Sequence, residues 1–242
     1  MNATHTNETL INLKKEIKHE IHHHILWKYT GEPVIQDEQL FFMMLPFLDG
    51  KVFDEKAKKS VMAVAIVHAS LAEHEKIKEN SAYEKDQQLT VLSGDYYSGM
   101  YYQLLAKAGN IQLIQALATG IILRCEQHIK IYEDQPIHQA DFNEMLEVVE
   151  SELIMNFYDS IGAEAYKELV KEALTLIGLK AVYEDATFAH PKILFTKVIN
   201  NGISTLELEQ LINARKQRFQ QLLVASSVNE ALLKTIEKYC LS

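Results

Sequence analysis

An all-α, multi-helix bundle is the fold class this sequence predicts, and three observations predict it. Glycine contributes 9 of the 242 residues and proline 4. That is just under half the usual combined share of about 12%, and an all-β fold would spend these residues on many turns. Apolar residues recur at helical spacing along most of the chain, and no stretch of strand alternation competes with them. Capping signals punctuate the pattern at regular intervals. With 48% hydrophobic and 24% charged residues, the chain has the composition of an ordinary globular protein.

The elements follow in order. Leu10, Leu13, Ile17, Ile21 and Ile25 share one face and predict an amphipathic helix over 8–29, ended near Gly31 and Pro33. A second helix is expected over 37–48. Asp54 is a suitable N-cap for a third, over 55–78. Its centre, Val61–Val67, is apolar all round and reads as buried on most sides. The polar stretch from Glu79 to Gln88 leads to a fourth helix over 87–108. Gly109 and Asn110 then stop one helix and cap the next, over 111–132. The break Glu133-Asp134-Gln135-Pro136 follows. Asp141 with Glu144 forms a capping-box pattern for a helix over 141–159. Gly162 interrupts, and helices are expected over 163–185 and 191–200. Ser204 with Glu207, and Ser227 with Glu230, are further capping boxes, opening helices over 205–224 and 228–240. The break at 133–140 is short enough for an ordinary loop, so a single all-helical domain over 1–242 is expected.

The formal net charge is −9, which disfavours a nucleic-acid binder, since phosphate contacts need clustered cations. The charge is unevenly spread. Residues 1–30 sum to +1 and residues 192–242 to +3, leaving −13 in the middle. Twelve acids and three lysines fall between Glu126 and Glu172, a pattern that suits a solvated helix face or contact with a basic partner. Only Arg124, Arg215 and Arg218 are arginines, a poor supply of bidentate clamps for a diphosphate. Cys125 and Cys240 are too few for a disulfide framework or a paired-cysteine metal site. No apolar leader follows Met1, and no apolar run approaches a membrane span. A soluble, cytoplasmic protein is expected.

Few constellations carry chemistry. Glu16-x-x-His19 and Glu20-x-x-His23 each match half of a di-iron carboxylate site, but both lie on one expected helix, whereas such a site needs facing helices. His22, His23 and His24 are consecutive and point apart. His68 and His74, six residues apart, do not converge. Nucleophile-elbow and phosphate-loop motifs are absent, and Cys125 sits in an apolar helical pattern that suits packing. The most informative stretch runs from Leu89 to Leu105. It sets Ser93, Gly94, Ser98 and Gly99 among Tyr96, Tyr97, Tyr101 and Tyr102. A glycine inside a helix costs about 1 kcal/mol against alanine, so two of them point to a close approach by another backbone or a ligand. A tightly packed core helix and a subunit interface both fit.

Leu92-Ser93-Gly94-Asp95, followed by an aromatic helix, resembles the Gly-Asp motif of trans-polyprenyl diphosphate synthases. Upstream, Val67-His68-Ala69-Ser70-Leu71-Ala72-Glu73 is similar to the segment that leads into that family's first Asp-rich motif. The positions that follow read His74-Glu75-Lys76-Ile77-Lys78. Only Glu75 keeps an acid, and Lys78 replaces the last aspartate. In the family those aspartates hold the Mg²⁺ ions that bridge an allylic diphosphate. Hard carboxylate oxygens suit that metal, and a lysine repels it. The nearest later stretch, Tyr183-Glu184-Asp185, has too few acids for a second motif.

The string from Gln88 to Tyr96, with Ser98-Gly99, resembles the small regulatory subunit, component 1, of two-component heptaprenyl diphosphate synthases. The likeness is strongest over about 61–132. It implies an isoprenoid synthase fold, truncated and lacking both Asp-rich motifs. It implies no catalytic residue and no metal on this chain, with Mg²⁺ held by a separate catalytic large subunit in a heterodimer. That subunit elongates farnesyl diphosphate with isopentenyl diphosphate toward a menaquinone side chain. By the same resemblance, Leu92, Gly94, Asp95, Tyr96, Tyr97, Gly99, Tyr101 and Tyr102 are the candidate partner interface, and His74, Glu75 and Lys78 a degenerate Asp-rich motif. Met62, Ile66, Met100 and Leu104 are candidates for packing near the channel of the growing chain. Self-association without the partner is possible. A self-sufficient divergent prenyltransferase and a helical metal-binding or adaptor protein are the alternatives.

Overall fold

The computed structural model describes residues 3–77, 84–130, 136–187 and 202–241. Ten α-helices run through them: α1 (Ala3–Glu20), α2 (His24–Thr30), α3 (Asp37–Leu48), α4 (Glu55–His74), α5 (Lys85–Lys107), α6 (Ile111–Lys130), α7 (Gln139–Ile161), α8 (Lys167–Thr187), α9 (Thr205–Ala225) and α10 (Glu230–Leu241). A 3₁₀ turn, Glu164–Tyr166, precedes α8. The described residues contain no strand, so the structure is all-α as expected. The helix expected over 191–200 lies outside the described residues.

The chain divides into two compact units, residues 1–115 and 116–242, and the division falls inside α6. In the first unit α4 packs on α5, and α2 also lies on α5. Every residue from Leu40 to Leu48 in α3 is buried, as are Ser60–Ser70 in α4. Helices apolar on all sides belong at the centre of a bundle. Ion pairs from α1 hold the periphery: Lys14 to Asp37, Lys18 to Glu32, and Glu16 to Lys58. In the second unit α8 is the central helix, packed by α7, α9 and α10. α6 and α7 meet closely at Gly120, where a Cβ would stand 2.8 Å from Asn156 Nδ2 and 3.1 Å from Leu153 Cδ2.

Several caps behave as their residue types dictate. Asp54 accepts from the Ala57 amide at 2.8 Å, and Asn110 from Leu113 at 3.3 Å. Ser204 and Glu207 form a full capping box. Gly162 ends α7 in the left-handed region.

Four expectations need correction. The helix expected over 8–29 is two helices, broken at 21–23. His23 is extended there, and its Nδ1 accepts from the Leu26 amide at 3.2 Å, capping α2. Histidines are weak helix formers, and this one offers a competing acceptor. The apolar phase slips by one residue at the break, so Leu26 is buried and Ile25 is exposed. α4 ends at His74, closed by short turns from Lys76 to Glu73 and Ile77 to His74. Asp141 lies inside the first turn of α7, which begins two residues earlier at Gln139. Gln139 donates to the Glu207 carbonyl at 3.0 Å, fixing that start against α9. Asn229, rather than Ser227, caps α10 by accepting from Ala231 at 3.0 Å.

Candidate partner interface

α5 carries the residues singled out from the sequence, and helical geometry deals them to two opposite faces. Gly94, Tyr97 and Tyr101 are buried, together with Thr90, Ser93, Leu104 and Leu105. Gln88, Leu92, Asp95, Gly99, Tyr102 and Ala106 are exposed, at spacings that alternate between four and three. Tyr96 lies between the two faces.

The buried face is locked to the rest of the first unit. A Cβ on Gly94 would stand 2.5 Å from His74 Nε2, so the absent side chain is what lets the imidazole lie on the helix. Ser70 Oγ donates to the Gly94 carbonyl at 2.8 Å. Trp27 Nε1 donates to the Tyr97 hydroxyl at 3.1 Å, tying α2 to α5. Burial pushes the Tyr97 pKa up, the hydroxyl of Ser93 and the indole of Trp27 oppose this, and the charge of Glu73 adds to it. Glu73 is itself buried. One of its oxygens pairs with Lys76, and the other has no hydrogen-bond partner. His22 meets Trp27 edge-on and His23 meets Tyr96 edge-on, so the second of the three successive histidines packs on α5.

The exposed face has no such locks. Leu92 is 55% and Tyr102 56% exposed. A Cβ on Gly99 would meet nothing within 4 Å. Nothing among the described residues therefore needs glycine in the middle of this 23-residue helix. Glycine there costs about 1 kcal/mol against alanine.

The described positions of the degenerate Asp-rich stretch, His74 and Glu75, form no metal site. His74 faces Gly94, with Nε2 3.7 Å from Asp95 Oδ1. Glu75 is exposed, and Lys78 lies outside the described residues. Among the described residues no three His, Cys, Asp or Glu side chains come together as a metal site. Mg²⁺ takes six oxygen ligands, and the residues at this end of α4 do not fit it. Met62, Ile66 and Leu104, considered for the channel, are core residues of the first unit, and Met100 is half-buried.

All three arginines are engaged within the second unit. Arg124 Nε donates to the Val149 carbonyl at 3.0 Å. Arg215 bridges three helices: it donates to Glu172 at 2.8 Å, Glu147 at 2.7 Å and Asn143 at 3.1 Å. Arg218 contacts Glu168 and Glu172. Burial acts to raise the Glu147 pKa, but the hydrogen bond and charge of Arg215, with Lys171, outweigh it and hold the group low. Burial raises Glu172 against the same arginines. One Glu172 oxygen has no hydrogen-bond partner. No local sequence signal announces this network, because its members are scattered from 143 to 218. The shortage of arginines was the one hint. No helix among the described residues is long and apolar enough to cross a membrane.

Comparison with known proteins gives a consistent result. The family described as heptaprenyl diphosphate synthase (HEPPP synthase) subunit 1 matches residues 23–229. The chain is 29% identical over 135 residues to heptaprenyl diphosphate synthase component 1 of Geobacillus stearothermophilus, covering 53% of this chain and 61% of that one. The match thus spans about three fifths of that relative's length. The fold is similar to that of geranylgeranyl pyrophosphate synthase from Lactobacillus brevis, with TM-score 0.72, 11% identity and coverage of 98% and 95% of the two chains. It is also similar to heptaprenyl diphosphate synthase from Staphylococcus aureus, with TM-score 0.68, 12% identity and coverage of 100% and 99%. These likenesses establish the all-α fold of prenyl synthases.

Proposed function

The chain belongs to the heptaprenyl diphosphate synthase subunit 1 family, and on that premise we propose that it is the non-catalytic regulatory subunit of a heterodimeric heptaprenyl diphosphate synthase. It acts as one all-helical domain over 1–242, a reading supported by fold matches over 98% and 100% of the chain. Its partner is a catalytic large subunit that carries the Asp-rich motifs and the Mg²⁺. The partner condenses isopentenyl diphosphate onto farnesyl diphosphate, in service of a menaquinone side chain, in the cytoplasm.

The observation that carries this reading is Gly99. It is exposed, mid-helix and met by none of the described residues, and it lies between Leu92 and Tyr102, two large exposed apolar residues. A second helix seated on the seam Leu92–Asp95–Gly99–Tyr102 explains all three, because glycine permits close backbone approach and tyrosine is enriched at interfaces. Gly94, Tyr97 and Tyr101 support that seam from behind. A subunit without reactive groups contributes by stabilising the productive conformation of its partner.

Gly99→Trp is the direct test. The variant keeps its helicity and melting temperature, because the site is open, but loses co-purification with the large subunit and fails to restore its activity. Undiminished co-purification would remove α5 from the interface.

A further inference from the structure

We infer that α2 is a pH-sensitive strap: it is docked on α5 while His23 is neutral, and it is released when His23 takes up a second proton. The device lies within the first unit and holds whatever covers the far side of α5.

His23 stands at the N-cap of α2, and its Nδ1 accepts from the Leu26 amide at 3.2 Å. A neutral imidazole can offer that lone pair. An imidazolium carries a proton on both nitrogens and accepts nothing. Protonation therefore turns a ring N–H against the Leu26 N–H and breaks the cap. It also places a positive charge at a helix N-terminus, where the backbone dipoles disfavour one. Histidine is the side chain whose ordinary titration falls between pH 5 and 8. Docking of α2 and uptake of the proton oppose each other, so the docked population falls as pH falls.

Little else holds α2 in place. It is seven residues long, too short to keep its helix alone, and Leu26 is its one buried residue. The His23 ring meets Tyr96 edge-on at 5.1 Å, and Trp27 Nε1 donates to the Tyr97 hydroxyl at 3.1 Å. The titratable and charged groups packed about the cap do not favour an imidazolium. α5 brings Tyr96, Tyr97 and, at its start, Lys85, whose ammonium lies 4.7 Å from the Tyr29 ring. α4 brings Glu73, which faces Tyr97 and is already paired with Lys76. The neighbouring chain brings His19, Glu20, His22, His24 and Lys28. Among the described residues the carboxylate paired with a histidine is Asp95 with His74, and none holds His23. Release of α2 carries Trp27 into water and takes the indole donor from the buried Tyr97 hydroxyl.

The test uses the full chain. Amide exchange is followed at pH 8 and pH 5.5, corrected for the intrinsic pH dependence of exchange, in wild type, His23→Asn, His23→Ala and His22→Gln. Circular dichroism checks that each is folded. An asparagine oxygen caps at both pH values and alanine at neither. Protection of residues 24–30 in wild type is expected to fall about tenfold from pH 8 to pH 5.5, with α4 unchanged. Trp27 is the single tryptophan of the chain, so its indole N–H gives one signal, and its exchange should quicken by the same factor. His23→Asn is expected to stay protected at both pH values, His23→Ala to be equally weakly protected at both, and His22→Gln to behave as wild type. Equal protection of 24–30 at the two pH values in wild type overturns the strap. So does a pH dependence that survives in either His23 variant, or one that disappears in His22→Gln.

Discussion

Gly99 and Gly120 both sit in helix interiors, yet a side chain added at each meets opposite surroundings. Around Gly99 there is open space. Gly99→Ala should raise the stability of the isolated chain by up to about 1 kcal/mol, the usual helix-propensity gain. Gly120 faces Leu153 and Asn156 at close range. Gly120→Val should lower stability by about 1–3 kcal/mol through overpacking. Urea unfolding of the two variants checks both signs. Arg215 is the other residue whose removal the structure makes costly. It is 8% exposed and serves two glutamates. Arg215→Ala leaves Glu147 with Lys171 alone and Glu172 with Arg218 alone, removes the buried cation between them, and should cost up to about 3–5 kcal/mol at neutral pH. The pH dependence follows from the two shifts. Glu147 is held low by Arg215, against its burial, so its stabilising contribution is full above the ordinary glutamate range and is lost as pH falls through the lowered native value. Glu172 is raised by burial, so its cost sets in as pH rises from the ordinary value through the raised one. Without Arg215 both native pKa values move up. The destabilisation should therefore shrink between pH 7 and pH 4, as read by melting temperatures of wild type and variant across that range.

Helix α2 depends on one hydrogen bond more than its seven residues suggest. Too short to be stable alone, it is held by packing, by the His23 cap and by Trp27 on the Tyr97 hydroxyl. Trp27→Phe keeps most of the apolar area but strips the buried hydroxyl of its donor. About 1–2 kcal/mol of stability should be lost, and amide exchange in 24–30 should quicken more than in α4. At the other end, α10 docks on α8 with Cys240 fully buried and its thiol directed at the Ala173 carbonyl. Burial pushes the Cys240 thiol up to about 12. Cys125 is half-buried. A thiol reagent at neutral pH should thus label one cysteine in the native protein, Cys125, and two in denaturant. Native labelling of Cys240 would mean that α10 is undocked.

These elements also show what a sequence discloses. Caps are local, so Asp54, Asn110 and Ser204 were legible from their neighbours three residues on. The break at 21–23 was not, because Leu13, Ile17, Ile21 and Ile25 keep helical spacing straight through it. Burial of Leu26 in place of Ile25 decides the matter, and that needs α5. The same holds for the candidate site. The tyrosine- and glycine-rich stretch was visible in the sequence. Its division into a buried face at Gly94, Tyr97 and Tyr101 and an exposed one at Leu92, Asp95, Gly99 and Tyr102 required the positions of α2 and α4. The Arg215 network joins residues on three helices, and no spacing rule reaches across them.

At the scale of the whole molecule, a prenyl-synthase fold is kept. His74 takes up the space above Gly94, and among the described residues no three metal-ligating side chains converge beside it. Arg215 braces the second unit from inside, with Arg124 half-buried and Arg218 at the surface beside it. In the middle of α5 the outward residues Leu92, Asp95, Gly99 and Tyr102 set large apolar side chains beside a glycine and one carboxylate. A fold that keeps its helices and presents such a seam has the makings of a subunit that works through another chain. The most direct measurement of that claim is prenyl transfer from isopentenyl diphosphate onto farnesyl diphosphate, with Mg²⁺ present, by this chain alone, by the large subunit alone and by the two mixed. Product should form from the mixture, with none from this chain alone at any Mg²⁺ concentration. Elongated product from this chain alone would contradict the reading and return it to the self-sufficient enzymes.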